Sequence, residues 1–356
     1  MRLTGFLDLS LKNYENRNSV GFGTIILTEF TKNRFFMKSI GKTNALKMLR
    51  QMLVCRRFEE ACLKGYQQKH ITGFCHTYIG QEAVAVGTLN HLNEEDSFVT
   101  SYRCHAQGLV IGMSAREIMA EMYGKVTGCV RGKGGSMHVF SKKYNYLGGH
   151  GIVGGQIPVG TGAALAGKYE GKKVVNLTYF GDGASAQGTF HESVNLAALW
   201  DLPVIYICEN NQYGMGTATN RAVANTSIQD QAAGYGIKGY EINGLDLVEV
   251  YTKMKKIIKE VRETSRPVII NMVTYRYKGH SVSDAGLYRT KDEVKSFMDQ
   301  DCINRFSAQM QELGWIDEEA YKVMDKEVKA EIKDAVKFAE DSPWPPLDEV
   351  ATHVLA

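Results

Sequence analysis

The stretch "KVVNLTYFGDGASAQGTFHESVNLAALWDLPVIYICENN", from Lys173 to Asn211, decides the fold. It begins with a run of apolar and β-branched residues typical of a buried strand, and a second such run comes near its end. Between the two runs, a helix is predicted to begin near Ala184. Because a strand, a helix and a strand in this order form a right-handed crossover, the two strands are predicted to lie parallel in one sheet.

The same alternation of helices and strands continues on both sides of this unit. Amphipathic helices are predicted over residues 43–69 and after Asp246, and further strands over "KGYEING" and "PVIINMVTY". Another helix begins at a capping box formed by Ser114 and Glu117. We therefore predict an α/β fold with a mainly parallel sheet that carries helices on both faces.

The chain is predicted to form one domain with appendages. Residues 1–40 lack a helical or strand period and are interpreted as an extension that is either disordered or precedes the true start. Residues 41–356 are predicted to form a single domain with a helical tail. Within that domain, the glycine-rich tract 128–162 is too long for an ordinary connection, and we interpret it as a functional loop.

Composition and charge exclude several classes of protein. The net charge of +3 is too small to indicate a nucleic-acid partner, and no apolar stretch predicts a membrane span. The seven cysteines form no C-x-x-C pair, which favours reduced thiols. Acidic residues interrupt the first 40 positions and disfavour a mitochondrial transit peptide. The bacterial cytoplasm is therefore the expected compartment, with the mitochondrial matrix as the alternative.

The motif "GDGAS" places Asp182 directly after the first strand of the unit, at the edge where parallel sheets bind ligands. The flanking glycines let a ligand approach the backbone closely, and the start of the following helix favours an anion. Asn210 and Asn211 end the next strand, and Asn211 comes 29 residues after Asp182. Oxygen ligands of this kind, completed by phosphates and water, predict a Mg²⁺ site.

Two other glycine-rich patterns are weaker. The segment "GHGIVG", residues 149–154, fits G-x-G-x-x-G, but no strand is predicted before it, which disfavours a dinucleotide fold. The segment "RGKGGS", residues 131–136, lacks the spacing of a P-loop and is interpreted as a cradle of N–H groups for an unidentified anion. Cys104 and His105 receive no chemical role.

Several separated motifs together resemble a known family. The residues from "GDGAS" to "ENN" resemble the diphosphate-binding motif of thiamin diphosphate enzymes, and "ICENNQYGMGT" with "RGKGGSMH" narrows the resemblance to pyruvate dehydrogenase alpha subunits. The segments "GFCHTYIGQEA", "TSYRCHAQG", "GGHGIVGGQIPVGTG" and "TYRYKGHSVSDAG" extend it over about residues 40–350. The resemblance implies the thiamin diphosphate-binding fold.

The resemblance also implies roles for individual residues. The expected Mg²⁺ ligands are the side chains of Asp182 and Asn211 and the backbone carbonyl of Tyr213. The other expected cofactor contacts are Tyr102, Arg103, Gly151, Val153, Gly183, Ala184 and His280. His76 and His280 are the expected catalytic residues, either for proton transfer or for orienting the substrate.

The implied activity is decarboxylation of pyruvate on thiamin diphosphate, followed by reductive acetylation of the lipoyl group of dihydrolipoyl acetyltransferase. The resemblance also implies a glutamate that activates the aminopyrimidine ring of the cofactor and that is carried by a second domain of related fold. We expect no such domain within this chain. A beta subunit in an α₂β₂ assembly is therefore the expected partner, together with the lipoyl domain. Alpha subunits of acetoin dehydrogenase and of branched-chain 2-oxo acid dehydrogenase are alternatives, and a noncatalytic scaffold subunit is another.

Overall fold

The computed structural model describes residues 36–352. The chain divides into two units, Met1–Leu46 and Lys47–Ala356, and the sheet and cavity described below belong to the second. The predicted extension over residues 1–40 lies almost entirely outside the described residues, so its interpretation stays a prediction. Within residues 36–352, no helix combines the length and the apolar character that crossing a membrane requires.

Six parallel strands form the central sheet, in the spatial order β2-β1-β3-β4-β8-β7. Their bounds are β1 (Ser97–Ser101), β2 (Tyr146–His150), β3 (Asn176–Gly181), β4 (Val204–Asn210), β7 (Lys238–Asn243) and β8 (Val268–Val273). A separate antiparallel hairpin of β5 (Tyr213–Gly214) and β6 (Thr217–Ala218) follows β4. The predicted α/β class is confirmed, and the sheet is consistent with the thiamin diphosphate-binding fold.

Each connection between successive strands of the sheet contains at least one α-helix, as parallel pairing requires. In chain order, the α-helices with bounds inside residues 42–341 are α1 (Lys42–Gln67), α2 (Glu82–Leu89), α3 (His105–Ile111), α4 (Ala115–Met122), α5 (Gln156–Tyr169), α6 (Gly188–Leu199), α7 (Thr219–Ala222), α8 (Leu247–Thr264), α9 (Lys291–Met298), α10 (Cys302–Glu312) and α11 (Glu318–Asp341).

Helices cover the sheet on both faces, which explains the long apolar runs in the sequence. On one face, α5 packs against the sheet through Ile157, and α6 packs through Phe190 and Val194. On the other face, the hydroxyl of Tyr179 lies 2.6 Å from Thr88 Oγ1 of α2. All seven residues of β4 are buried, because its side chains alternate between these two packed faces.

The interpretation of residues 128–162 as one functional loop is wrong. The tract contains the edge strand β2 and the first half of α5. A strand therefore does precede Gly151, contrary to the reasoning that rejected the G-x-G-x-x-G pattern there. The sequence of β2, "YLGGH", offers almost no β-branched or aromatic signal, so its strand is stabilised by pairing with β1 rather than by local propensity.

Helix starts follow the predictions in part. Asp246 caps α8 and accepts hydrogen bonds from the N–H groups of Val248 and Glu249, at 2.9 and 3.1 Å. Ser114 caps α4, but its hydroxyl accepts from the N–H group of Arg116 at 3.2 Å, so the hydrogen bond that a capping box makes at Glu117 is not the one observed. The helix predicted from Ala184 starts later, at Gly188, after a 3₁₀ turn over Asp182–Ala186.

A buried ion cluster joins α1 and α2 to Asp301, the residue that caps α10. Arg56 of α1 donates to both carboxylate oxygens of Glu82, at 2.5 and 3.0 Å, and to Asp301 at 2.8 Å. The Glu82 side chain is fully buried and that of Asp301 is 7% exposed. Removal of Arg56 would therefore leave two buried carboxylates without their cation.

We expect Arg56→Ala to lower the free energy of unfolding by about 3–5 kcal/mol, the usual effect of breaking a buried ion pair. Urea denaturation followed by circular dichroism measures this loss. Arg50→Ala is the matched control, because Arg50 pairs with Glu331 on the surface and its loss should cost about 0–1 kcal/mol. Equal losses for the two variants would contradict the importance of the cluster.

Candidate functional site

A cavity of about 300 Å³ opens at the carboxyl ends of the central strands. Its walls come from the ends of β1, β3 and β4, from the turn before α5, from the β5–β6 hairpin and from the loop after β8. The predicted site residues that line it are Tyr102, Arg103, Val153, Asp182, Gly183, Ala184, Asn211, Tyr213 and His280. His76 and Gly151 are absent from this lining.

Asp182 stands at the floor of the cavity, in the first position of the 3₁₀ turn that follows β3. Its side chain is buried, and one carboxylate oxygen accepts a hydrogen bond from Thr219 Oγ1 at 2.8 Å. Burial raises the pKa of Asp182 above its usual value, because desolvation penalises the charged form. A cation bound at this carboxylate would offset that penalty.

Asn211 offers an oxygen atom that the described residues leave unsatisfied. Its amide nitrogen donates to Gln81 Oε1 at 3.0 Å, while its Oδ1 is buried and has no hydrogen-bond donor within residues 36–352. A buried polar atom without a partner is costly, so the site calls for a donor or a cation at this oxygen. An amide oxygen and a carboxylate at one cavity wall fit the oxygen ligands of Mg²⁺.

The β5–β6 hairpin brings backbone groups to the same wall. Tyr213 begins the hairpin, and its hydroxyl donates to Glu293 Oε2 at 3.0 Å, which anchors the ring away from the sheet. A Cβ placed on Gly183 would lie 3.3 Å from the Cα of Gly214. The two backbones therefore meet closely, and a larger residue at Gly183 would crowd the hairpin that carries the Tyr213 carbonyl.

Arg103 links the segment that contains His76 to the segment that contains His280. Its guanidinium donates to the carbonyl of Thr77 at 2.5 Å and to the carbonyl of His280 at 2.9 Å, and the residue is only 4% exposed. A guanidinium has five N–H donors, so these two hydrogen bonds leave others for an anion in the cavity. Arg103 thus lies where a diphosphate contact is predicted, while also fixing the chain around it.

His76, Tyr102 and His280 form one aromatic group beside the cavity. The ring centroids of His76 lie 4.5 Å from Tyr102 and 5.1 Å from His280. Burial, reinforced by the nearby Arg103 cation, lowers the pKa of His76 to about 2 and that of His280 to about 4. Both rings are therefore neutral at pH 7, and His76 Nδ1 has no partner within the described residues.

Gly151 does not line the cavity. A Cβ at this position would meet the ring of His138 at 3.4 Å, so the residue packs against the loop behind β2. The neighbouring Val153 and Gly154 reach the cavity instead. Val153 and Gly154 thus supply a wall of the cavity, and the contact of Val153 with a cofactor stays a prediction.

The sequence analysis missed Glu209, which lines the cavity, and Thr219, which holds a lining residue. Glu209 lines the cavity and accepts from Gln107 Nε2 at 3.2 Å and from the hydroxyl of Tyr78. Burial raises the pKa of Glu209 to about 7. A charged residue at the end of the apolar run "VIYICE" was the available signal, whereas Thr219, which fixes Asp182, lies in a polar loop without any signal.

Arg276 is a third missed residue. It is 1% exposed, and its guanidinium donates to the carbonyl of Met215 at 2.6 Å and to the hydroxyl of Tyr288 at 3.1 Å. Burial and the nearby Arg103 lower its pKa to about 10. Two buried guanidinium groups, of Arg103 and Arg276, thus lie near the carboxylates of Asp182 and Glu209, and guanidinium groups suit a phosphate-bearing ligand.

His105 has a structural environment rather than a catalytic one. Its Nδ1 lies 3.1 Å from the carboxylate of Glu59, and its Nε2 lies 2.9 Å from the carbonyl of Ser136. The ring is fully buried, and both nitrogens face acceptor atoms of the protein. Both sides of the His105 ring are therefore held by groups of the same chain.

The comparisons with known proteins agree with the motifs. Residues 50–348 match the family described as the dehydrogenase E1 component. The pyruvate dehydrogenase E1 component subunit alpha of Rhizobium meliloti (strain 1021) is 47% identical, over 88% of this chain and 90% of the relative. The same subunit of Rickettsia bellii (strain RML369-C) is 44% identical, over 88% of this chain and 96% of the relative.

The similarity also reaches a mitochondrial protein. The somatic mitochondrial form of pyruvate dehydrogenase E1 component subunit alpha of Bos taurus is 44% identical, over 88% of this chain and 80% of the relative. The matched residues include every residue that lines the cavity, and with them the three metal-ligand candidates Asp182, Asn211 and Tyr213. The chain therefore belongs to the dehydrogenase E1 component family.

Proposed function

We propose that this chain is the alpha subunit of a pyruvate dehydrogenase E1 component, which binds thiamin diphosphate with Mg²⁺. With a beta subunit, it would decarboxylate pyruvate and reductively acetylate the lipoyl group of dihydrolipoyl acetyltransferase. The names of its relatives support the reaction. The observation that carries the cofactor proposal is the unsatisfied Oδ1 of Asn211 at the wall shared with Asp182.

The residues of the cavity fit the diphosphate end of the cofactor. Asp182, Asn211 and the carbonyl of Tyr213 would hold Mg²⁺, and the free N–H groups of Arg103 would hold phosphate oxygens. Gly183 and Ala184 would offer backbone N–H groups to the diphosphate. When bound, thiamin diphosphate supplies an electron sink for the loss of CO₂ from a 2-oxo acid.

The two histidines have a restricted role in this proposal. Because the pKa values of His76 and His280 are lowered to about 2 and 4, both rings are neutral imidazoles at pH 7. A neutral ring donates a hydrogen bond through one nitrogen and accepts through the other. His76 and His280 would therefore orient the substrate through hydrogen bonds, and neither would begin the reaction as a cationic acid.

A second chain is proposed to complete the site. The two carboxylates that line the cavity are already hydrogen-bonded within this chain, Asp182 by Thr219 and Glu209 by Tyr78 and Gln107. Apolar side chains are also exposed beside the cavity, with Ile152 at 78% and Met215 at 66%. Both features support a beta subunit that covers this surface and supplies the activating glutamate.

Asp182→Ala should weaken Mg²⁺-dependent binding of thiamin diphosphate at least 100-fold, which corresponds to about 2.8 kcal/mol. The variant removes a metal ligand without removing a core side chain, so its melting temperature should change little. Isothermal titration calorimetry with and without Mg²⁺ measures the affinity. Asp230→Ala, at an exposed aspartate, is the control, and parental affinity in Asp182→Ala would overturn the metal assignment.

His76→Gln should make folding stability less sensitive to acid. The pKa of His76 is lowered from 6.5 to about 2, so the unfolded chain binds the proton more tightly and stability falls as the pH drops below 6.5. Between pH 6.5 and 5.5, this group should account for a loss of about 1 kcal/mol. Urea denaturation at both pH values tests this, and the exposed His70→Gln variant should retain the parental pH dependence.

The reaction is tested by producing the chain with and without a candidate beta subunit from the same genome. With thiamin diphosphate and Mg²⁺, the complex should turn over pyruvate, and the single chain should be at least 100-fold slower because the activating glutamate is absent. Acetoin and branched-chain 2-oxo acids are assayed in parallel. Faster turnover of either would reassign the substrate, and good cofactor binding without any turnover would favour a scaffold subunit.

A further inference from the structure

A buried carboxylate organises the glycine-rich loop 128–135. Glu121, in the last turn of α4, is fully buried, and its two oxygens accept four backbone N–H hydrogen bonds. The donors and their distances are Val130 at 2.9 Å, Gly132 at 2.9 Å, Gly134 at 2.7 Å and Gly135 at 3.1 Å. The anion that "RGKGGS" cradles is therefore a side chain of the same protein.

This arrangement explains the glycines of the loop. A Cβ on Gly128 would lie 2.4 Å from Glu121 Oε2, and a Cβ on Gly132 would lie 2.5 Å from the carbonyl carbon of Gly124. Gly132 also has a φ of +76°, a conformation that side-chain-bearing residues rarely adopt. The loop can therefore close around Glu121 only because these positions lack side chains.

The residues that follow the loop hold one wall of the cavity from behind. His138 Nδ1 lies 3.0 Å from the carbonyl of Gly149, and the N–H of Gly149 donates to the carbonyl of Val139 at 3.0 Å. Gly151 packs against the His138 ring. The path of residues 149–153, and with it the position of Val153 at the cavity, is therefore fixed by His138 and Val139 in the segment that follows the loop.

The same segment also holds the wall that carries Arg103. The carbonyl of Ser136 lies 2.9 Å from His105 Nε2 and accepts from Cys104 Sγ at 3.3 Å. Cys104 and His105 directly follow Arg103 in the chain. Two walls of the cavity, one at the end of β1 and one at the end of β2, are thus hydrogen-bonded to residues 136–139, which directly follow the loop around Glu121.

We propose that Glu121 is a positioning residue for the cofactor site, which holds the walls at residues 102–103 and 149–153 in their binding positions through the loop 128–135. The proposal rests on the assignment of the cavity to thiamin diphosphate. Glu121 itself touches neither the cavity nor a reacting atom. Its effect on the bound cofactor passes entirely through the four backbone hydrogen bonds and the residues that follow them.

Glu121→Gln tests the proposal in the complex with the beta subunit. Glutamine keeps the shape but turns one oxygen into an NH₂ group that faces backbone donors, so two of the four hydrogen bonds are lost. We expect the affinity for thiamin diphosphate with Mg²⁺ to fall at least tenfold by calorimetry. The KM for the cofactor should rise likewise, while kcat at saturating cofactor stays within about twofold.

Hydrogen–deuterium exchange gives a second readout that does not depend on the cofactor. Without ligand, Glu121→Gln should exchange faster than the parent over residues 128–138 and 146–153. Glu117→Gln is the matched control, because Glu117 lies on the same helix and makes no hydrogen bond to the loop within the described residues. It should match the parent in exchange and in affinity.

His138→Ala keeps the test decisive if Glu121→Gln does not fold. His138 is exposed, so its truncation should leave the melting temperature unchanged while loosening residues 149–153 and weakening cofactor binding at least threefold. Parental affinity and exchange in a folded variant would overturn the proposal. If the parent complex itself does not bind the cofactor, the proposed function fails, and the exchange over residues 146–153 then decides alone whether Glu121 positions that wall.

Discussion

The parallel pairing of β3 with β4 is the constraint on which the site depends. Their register places Gly181 opposite Glu209, so Asp182 and Asn211 emerge together at one edge of the sheet. Because side chains alternate along a strand, a shift of one residue in this register would turn Glu209 and the residues beside it to the opposite face. The apolar packing on both faces of β4 therefore fixes the polar edge as well as the core.

The polar groups around the cavity fall into two kinds. Asp182 and Glu209 are hydrogen-bonded by their own chain, which holds them in place before a ligand arrives. Asn211 Oδ1 and His76 Nδ1 are buried without a partner in the described part of the chain. The hydrogen-bonded carboxylates define the shape of the site. The two atoms without a partner would gain free energy when a ligand supplies the missing hydrogen bond or charge.

Sequence reasoning located the core strands and the metal-ligand candidates because these depend on local patterns. Apolar runs marked β3, β4 and β8, and the Gly-Asp-Gly and Asn-Asn pairs marked the ends of two of them. The edge strand β2 was not predicted, because its glycines have a low propensity for β-strands. The segment is a strand because it pairs with β1. Thr219 and Arg276 were not predicted either, because their roles come from contacts between residues far apart in the sequence. Thr219 contacts Asp182, and Arg276 contacts Met215.

The guanidinium of Arg103 also makes the two histidine-bearing segments mechanically dependent on each other. It bridges the carbonyl beside His76 and the carbonyl of His280, which are far apart in the sequence. A displacement of either segment breaks a hydrogen bond of a buried cation, which is more costly than the loss of a neutral hydrogen bond. The rings of His76 and His280, on separate loops, are thus held in one common geometry. A lysine in place of Arg103, with its single ammonium group, would lack the planar fork that spans both carbonyls.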